Sequence, residues 1–465
     1  MPFSRPTNLD VGSEPLLASV QYRAEVPYSG LWYGNLGYYQ GPAATFPSNM
    51  QPMALYDATS NKTFFVWANG YSPAWATIGA YNHATGEIVD VNRVMDLTDT
   101  DGHRNPTIHI DSAGYIYVFA AAKNSPIWIK KSNAPRDITA WSWSPSIPGN
   151  CTYSQPHALA AGEITVFHRT GPDYSWSYRR STNGGASWGP EVRVVSPANP
   201  VVDGVYAQTA SRSGTVHIVW TVLDSTTQLR KNFWYAKSAG GVAWTRADGT
   251  ALTLPIDART GGELVFNSGA DQVNTQDIQI DSAGNPIILI SHGQNPGAWH
   301  WKLVKRVAGT WQAYSVGAVG DRQFDNGGLI LDSDTLFRAL LPTGAGIAGQ
   351  DGGNIEEWLS TDAGLTWALN RTLTADPLNH NHVKVAQNGQ PGFRAFWSYG
   401  NPSIASPTIV KFLDEVRGVD ALRPGNPFKR YVLPTLNGVA LPEQTLTAAE
   451  PVTVVLSNSG IVGTP

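Results

Sequence analysis

Short apolar runs that alternate with polar residues recur along most of this chain, each ending in a turn rich in Gly, Asp or Ser. A period of two predicts β-strands with one face buried. The runs fall into groups. The first three are 52–56, 62–67 and 76–81; then 107–110, 115–119 and 127–130; then 157–159, 163–167 and 176–179. A fourth comprises 205–208, 215–220 and 233–235, and a fifth 277–280, 286–290 and 299–302, with a further strand at 311–314. The last two are 328–331, 336–340 and 355–358, then 382–385, 393–397 and 408–411.

Three turns are near copies: Ser181-Thr-Asn-Gly-Gly-Ala-Ser-Trp188, Lys237-Ser-Ala-Gly-Gly-Val-Ala-Trp244 and Ser360-Thr-Asp-Ala-Gly-Leu-Thr-Trp367. A turn recurring at unequal separations, closing on a Trp that can plug the space between strands, marks radial repetition. The pattern predicts an all-β chain forming a seven-bladed β-propeller over 41–415. Extensions at 1–40 and 416–465 are expected to pack outside that ring. Six or eight blades stay open, because the chain ends can share a blade to close the circle. A pair of β-sandwiches is the structural alternative.

Composition narrows the partners. Charged residues make up 15% of the chain, against about 25% in an ordinary soluble domain. Asn, Ser, Thr and Gln fill the difference, which suits a protein exposed to saccharides, and the expectation is a secreted or periplasmic monomer. The net charge is −4 with no block of Lys or Arg, so nucleic acid is not an expected partner. No stretch is long and apolar enough to span a bilayer, and the first residues lack a basic region followed by an apolar segment. Cys151 is the single cysteine, which leaves no disulfide framework and predicts a small buried residue.

Polar turns feeding the innermost strands of a propeller open toward its axis. His103, in the turn Asp99-Thr-Asp-Gly-His-Arg-Asn-Pro106, is therefore presented to a ligand. Equivalent entries carry Tyr153, Tyr206, Asn274 and His382, and the connections and returns between strands carry Lys123, His168, Arg179 and Arg180. Such groups fit elimination on a uronate-containing polysaccharide. A cation must hold the carboxylate so that enolate charge developing beside C5 is stabilised. A neutral His or an ionised Tyr takes the C5 proton, and a second such group protonates the departing oxygen. His103, His168 and Tyr206 are the candidate proton-transfer groups. Lys123, Arg179, Arg180, Tyr153, Asn274 and His382 are the candidates for holding substrate.

Bland explanations compete with each. Arg179 and Arg180 face opposite ways if both lie in one strand, so at most one reaches the site. His109 and His217, inside strands, read as core groups. No cofactor is required. A structural calcium or zinc stays open, because Asp96, Asp99 and Asp101 lie near His103 and His380 and His382 share a strand parity. No acidic pair of the kind a hydrolase needs is presented beside the polar loops.

Several segments together resemble the BNR-type repeat proteins of the large propeller family that includes ulvan lyases and related uronate polysaccharide lyases. They are Tyr81-Asn-His-Ala-Thr-Gly-Glu87, Gly102-His-Arg-Asn-Pro106, Ile110-Asp-Ser-Ala-Gly-Tyr-Ile-Tyr-Val-Phe119, Arg179-Arg-Ser-Thr-Asn-Gly-Gly-Ala-Ser-Trp188, and Trp234-Tyr-Ala236 with Ala247-Asp-Gly-Thr250. The resemblance spans about Gln51 to Lys411. It implies an active-site role for His103, which matches the histidine those lyases carry before Asn-Asn-Pro. It further implies an arginine at Arg179 or Arg180 and a tyrosine at Tyr206. Two positions depart from the pattern: Lys123 stands where a second histidine is common, and His168 where a tyrosine is. The alternatives are a sialidase-like glycoside hydrolase, since 360–367 is similar to that group's Asp-box turn, and a noncatalytic glycan-binding propeller.

Overall fold

The computed structural model describes residues 44–413 and Glu415, apart from short stretches at 71–73, 98–101, 200–202, 225, 295–296, 347–350, 376–378 and 401–408. The expected extensions at 1–40 and 416–465 lie outside the described residues. Among the described residues the fold is all-β and propeller-like, its single helical turn being the 3-10 segment Gly102–Arg104.

Antiparallel meanders follow one another along the chain. Thr107–Ile110, Ile116–Ala120, Ser125–Ser132 and the first half of the long strand Trp141–His157 pair in order. The second half of that long strand then pairs with Ile164–Thr170, which leads to Ser175–Ser181 and Val192–Ser196. The next meander runs Asp203–Arg212, Thr215–Asp224, Leu229–Ala239 and Ala243–Thr245. Two further four-stranded sheets follow, Gln272–Ile280 to Thr310–Gly320 and Gly328–Leu331 to Ala368–Thr372. Finally Asn379–Gln390, Phe393–Gly400 and Ile409–Leu413 join the chain's first meander through a parallel contact of Leu55 with Gln387. The two ends of the described chain therefore close on each other.

Local chemistry explains the repeated turns. In the first, the Ser181 hydroxyl accepts the Gly185 amide at 2.9 Å and the Asn183 side-chain oxygen accepts the Ser187 amide at 3.0 Å. In the last, Ser360 accepts the Gly364 amide at 2.8 Å and Asp362 accepts the Thr366 amide at 2.9 Å. Gly185 and Gly364 have φ of 81° and 82°, which a side chain would strain. The middle copy has Lys237 where the others have Ser, and there Ser238 donates to the Ala243 carbonyl instead. Its Trp244 is buried as expected, whereas Trp188 and Trp367 are half-exposed.

The core lies between successive meanders. Phe65, Trp67, Phe393, Phe396 and Phe412 fill the closure seam, while Phe167, Trp176, Trp220 and Trp244 fill another. Burying a side chain such as Phe65 contributes roughly 1.5–3 kcal/mol. Cys151 is buried and has no disulfide, its sulfur lying 3.8 Å from the Pro148 carbonyl.

One buried segment, residues 44–50, crosses the middle of the ring. Thr45 donates to the His382 carbonyl at 2.7 Å, and Asn105 donates to the Phe46 carbonyl at 2.6 Å. Gln208 donates to the Ser48 carbonyl and Gln155 to the Asn49 carbonyl, each at 2.7 Å. Lys384 donates to the carbonyls of Pro47 and Met50. Hydrogen bonds from so many strands to one segment stitch the inner wall together and fill the axis at mid-height.

Candidate functional site

On one side of that segment the innermost strands begin, and there their first residues converge. Three of those strands are bulged near the point of entry. The register shifts between Thr152 and Gln155, between Thr275 and Asp277, and between Asn381 and Lys384. Tyr153 and His382 sit in the first and last of these bulges at φ of 62° and 58°. Bulky residues rarely adopt that backbone region, and such bulges re-aim a side chain. Both residues are buried in the interior.

The Tyr153 ring is the hub. The His103 ring lies 5.0 Å from it, centroid to centroid, and the Tyr206 ring 6.1 Å. Arg169 sits among three tyrosines, 4.8 Å from the centroid of Tyr153, 4.9 Å from Tyr206 and 5.0 Å from Tyr174. Arg230 lies 3.9 Å over Tyr206 and 5.3 Å from Phe324. Asn274 orients Arg230 by accepting its Nη1 at 2.5 Å, and is itself held by donating to the Gln323 carbonyl at 2.9 Å. Phe46, from the axial segment, closes the floor with its ring 4.7 Å from His382 and 6.2 Å from Phe324.

Electrostatics single out Tyr206. Burial raises its phenol, but Arg169, Arg230, a hydrogen bond from Arg169 and the charge of Lys123 outweigh that and hold it below its ordinary value. A buried tyrosine held below its ordinary pKa has the acid–base chemistry that proton transfer needs. Arg169 is correspondingly stabilised as a cation: burial works against its charge, while Tyr206, Tyr153 and Tyr174 favour it.

Of the residues anticipated from sequence, His103, Tyr153, Tyr206 and Asn274 meet here, and exposed Lys123 acts on Tyr206 by its charge. His382 borders the floor, where its Nδ1 pairs with the Asn326 side-chain oxygen at 2.9 Å. Burial, reinforced by Lys384, holds His382 well below the usual histidine range.

Three anticipated residues are elsewhere. Neighbours in a strand face opposite sides, so with Arg169 aimed at the tyrosines, His168 is turned away from them. Its Nδ1 meets the Thr170 hydroxyl at 3.2 Å, and burial with the nearby Arg179 charge depresses its pKa to about 3. It is a neutral packed imidazole. Arg179 donates to the Gly189 carbonyl at 2.9 Å and faces Glu191. Arg180 donates to the Gly240 carbonyl at 2.6 Å and pairs with Glu163 at 3.2 Å. Arg169 and Arg230, neither singled out from sequence, supply the guanidinium groups of the cluster.

Among the described residues no three His, Cys, Asp or Glu side chains are placed to hold an ion. Asp96 pairs with Arg93, Asp99 and Asp101 lie outside the described residues, and His380 accepts the Trp397 indole N–H at 3.0 Å while His382 is engaged with Asn326. Beyond Phe324 the carboxyl of Asp325 is raised well above its ordinary value, by burial first and by Asp351. Its oxygens accept the amides of Gly352, Asp321 and Arg322, so it pins a loop.

Similar proteins agree with this architecture. The chain is 24% identical over 264 residues to "Ulvan Lyase-PL25" of Pseudoalteromonas sp. (strain PLSV), covering 48% of this chain and 54% of that protein. It is 24% identical over 317 residues to an ulvan lyase of Alteromonas sp. (strain LOR), covering 61% and 60%. The chain thus matches roughly half to three-fifths of the length of these curated relatives. A PL25 ulvan lyase structure bound to -[GlcA(1-4)Rha3S]- superposes with a TM-score of 0.69 at 17% identity, over 82% of this chain and 96% of that one. Polysaccharide lyase Uly1 gives 0.57 at 12% identity, over 87% and 98%. Identities that low establish shared fold alone. A family model described as "BNR repeat-containing family member" matches residues 62–319, more than half of the sequence, and this chain belongs to that family.

Proposed function

We propose that this protein is a polysaccharide lyase that cleaves a uronic-acid-containing glycan by β-elimination, on a ring of seven blades. The strand meanders support that number when the long strand Trp141–His157 is shared between two blades and Asn379–Leu413 is taken as the last. One observation carries the catalytic reading: a buried tyrosine, Tyr206, is clasped by two arginines beside a histidine–tyrosine pair.

The chemistry follows from that arrangement. Arg169, Arg230 and Lys123 make this end of the ring cationic, the field a uronate carboxylate requires. A guanidinium on the carboxylate lets negative charge spread into it as the C5 proton leaves. Tyr206, biased toward phenolate, accepts that proton. The electron pair of the C5–H bond forms the C4–C5 double bond, and the C4–O bond breaks. His103 donates the proton that the departing glycosidic oxygen takes up. Tyr153, packed between the two at tilted ring angles, fixes their separation. No water is consumed, and the product is an unsaturated uronate.

The relatives named as ulvan lyases and the bound glucuronate–rhamnose-3-sulfate unit of the PL25 structure favour a sulfated glucuronate–rhamnose polymer as substrate. The test is a panel of acidic polysaccharides, ulvan included, followed by ultraviolet absorbance of the conjugated uronate and by reducing ends in parallel. The two signals are expected to rise together. Reducing ends without the chromophore would mean hydrolysis, and binding without either product would mean a lectin.

A further inference from the structure

Each innermost strand that contributes to the cationic cluster has its opposite end on a second cavity. Thr107–Ile110 begins just after His103 and ends with His109 and Ile110 on that cavity. Trp141–His157 carries Tyr153 to the cluster and His157 to the cavity. Asp203–Arg212 carries Tyr206 and Thr209, and Gln272–Ile280 carries Asn274 and Gln276, in the same way. The cavity measures about 1190 Å³, somewhat above the usual range for ligand sites. The axial segment separates the two spaces, with Phe46 on the floor of the cluster and Ser48, Gln51 and Pro52 on the wall of the cavity.

The chemistry of this wall differs from that of the cluster. Its carboxylates, at positions 57, 111, 277 and 332, equal in number its cations, at 136, 212, 384 and 394. These charges are already engaged. Arg136 meets Asp57 at 2.8 Å, Arg394 pairs with Asp332, Lys384 donates to the Pro47 and Met50 carbonyls, and Arg212 reaches the Ile280 carbonyl at 3.3 Å. The strongest charges acting on Tyr206, by contrast, are all cations. Between the paired charges the wall offers amides and hydroxyls, such as Thr59, Ser112, Ser213 and Gln387.

One polar atom here has no match. The Nε2 of His109 is buried and has no hydrogen-bond partner among the described residues. Its neighbour His157 is saturated, with Nδ1 on Ser211 at 3.0 Å and Nε2 on Thr209 at 2.7 Å. Burial lowers the His109 pKa to about 4, so at neutral pH the ring exchanges one neutral hydrogen bond and offers no charge. An unsatisfied buried polar atom costs stability unless something meets it.

We propose that the cavity is a second binding site, distinct from the cationic cluster, for an uncharged and hydroxyl-rich ligand: a neutral saccharide. Hydroxyl groups can pair with amides, serines and a neutral imidazole alike. A uronate or sulfate meets four carboxylates on this wall, and every cation there except exposed Arg212 is paired with a carboxylate or buried against carbonyls. The site goes beyond the lyase reading and does not require it.

The experiment measures binding of rhamnose and cellotetraose to the full chain, by saturation-transfer NMR and calorimetry, with tetragalacturonate as the acidic control. Two variants accompany wild type. His109→Phe keeps the ring and removes the unmatched nitrogen, and Gln387→Trp obstructs the cavity from an exposed rim position. At least one neutral probe is expected to bind wild type, and equally an Arg169→Ala variant, with affinity lowered about tenfold by His109→Phe and lost in Gln387→Trp. Turnover of acidic polymer should be unchanged in both cavity variants. Absence of binding by both neutral probes overturns the proposal, as does binding indifferent to Gln387→Trp or lost with Arg169→Ala. Because binding is read without turnover, failure here is separable from failure of the lyase assignment.

Discussion

The guanidinium of Arg230 lies 3.9 Å over the ring of Tyr206. With Arg169 on the same tyrosine at 4.9 Å, it makes a buried phenol into a group that ionises more readily than burial alone would permit. Removing Arg230 therefore has a definite sign. In the proposed reaction Tyr206 acts as its phenolate, so activity rises with pH as it deprotonates, and loss of a cation raises its pKa. Arg230→Ala should move the acidic limb of the kcat/KM profile to higher pH. An unmoved limb with lower activity would make Arg230 a contributor to substrate binding alone.

His103 stands beside Tyr153 at the head of an innermost strand. As the proton donor to the leaving oxygen it should contribute about 10²–10⁴-fold to the rate. His103→Ala is expected to lose that factor in kcat while far-UV circular dichroism and thermal unfolding stay near wild type. Turnover within a few-fold of wild type would remove it from the proton path.

Three arginines separate by their contacts. Arg169→Ala should lower kcat/KM by about 10²-fold or more, the scale of a lost charge-stabilising group. Arg179→Ala and Arg180→Ala should leave kinetics close to wild type, since each is occupied with a carbonyl and a glutamate away from the tyrosine cluster. Their partly exposed ion pairs are worth only about 0–1 kcal/mol in stability. Kinetics of the three variants side by side decide the matter.

Lys384 links the axial segment to the wall, and burial lowers its pKa from 10.5 to about 7, Asp277 opposing the shift. Its folded-state pKa thus lies below its unfolded value. The favourable contribution is complete above about pH 10.5 and is lost as pH falls toward 7. Unfolding free energies of wild type and Lys384→Met, measured across that interval, should diverge in wild type's favour as pH rises. Parallel curves would mean that the lysine is solvated in the folded protein.

Much of the ring could be read from the chain, because two-residue alternation survives wherever a strand has one buried face. The turn holding His103 was legible in its position but not in its burial: a polar, Gly-containing stretch before a strand predicts an open loop, whereas the structure closes it as a 3-10 turn with His103 buried. Arg169 was not legible. His168 and Arg169 alternate in a strand of unbroken register against 175–181, and period-two patterning alone does not say which of its two faces meets the tyrosines. The one available clue was parity, since Arg169 shares a face with Phe167, which packs between sheets. Arg230 was hidden differently. It lies on the third strand of its meander and reaches the cluster by the length of its side chain. The axial segment escaped notice because 44–50 has no periodicity, and its place is fixed by hydrogen bonds from strands far away in sequence.

The most direct test removes one oxygen atom. Tyr206→Phe keeps the ring over which Arg169 and Arg230 sit and deletes only the hydroxyl that receives the proton. Initial rates of unsaturated-uronate formation from ulvan should fall at least about 100-fold, with polymer affinity and thermal stability retained. Formation of that chromophore at the wild-type rate would contradict elimination at this tyrosine.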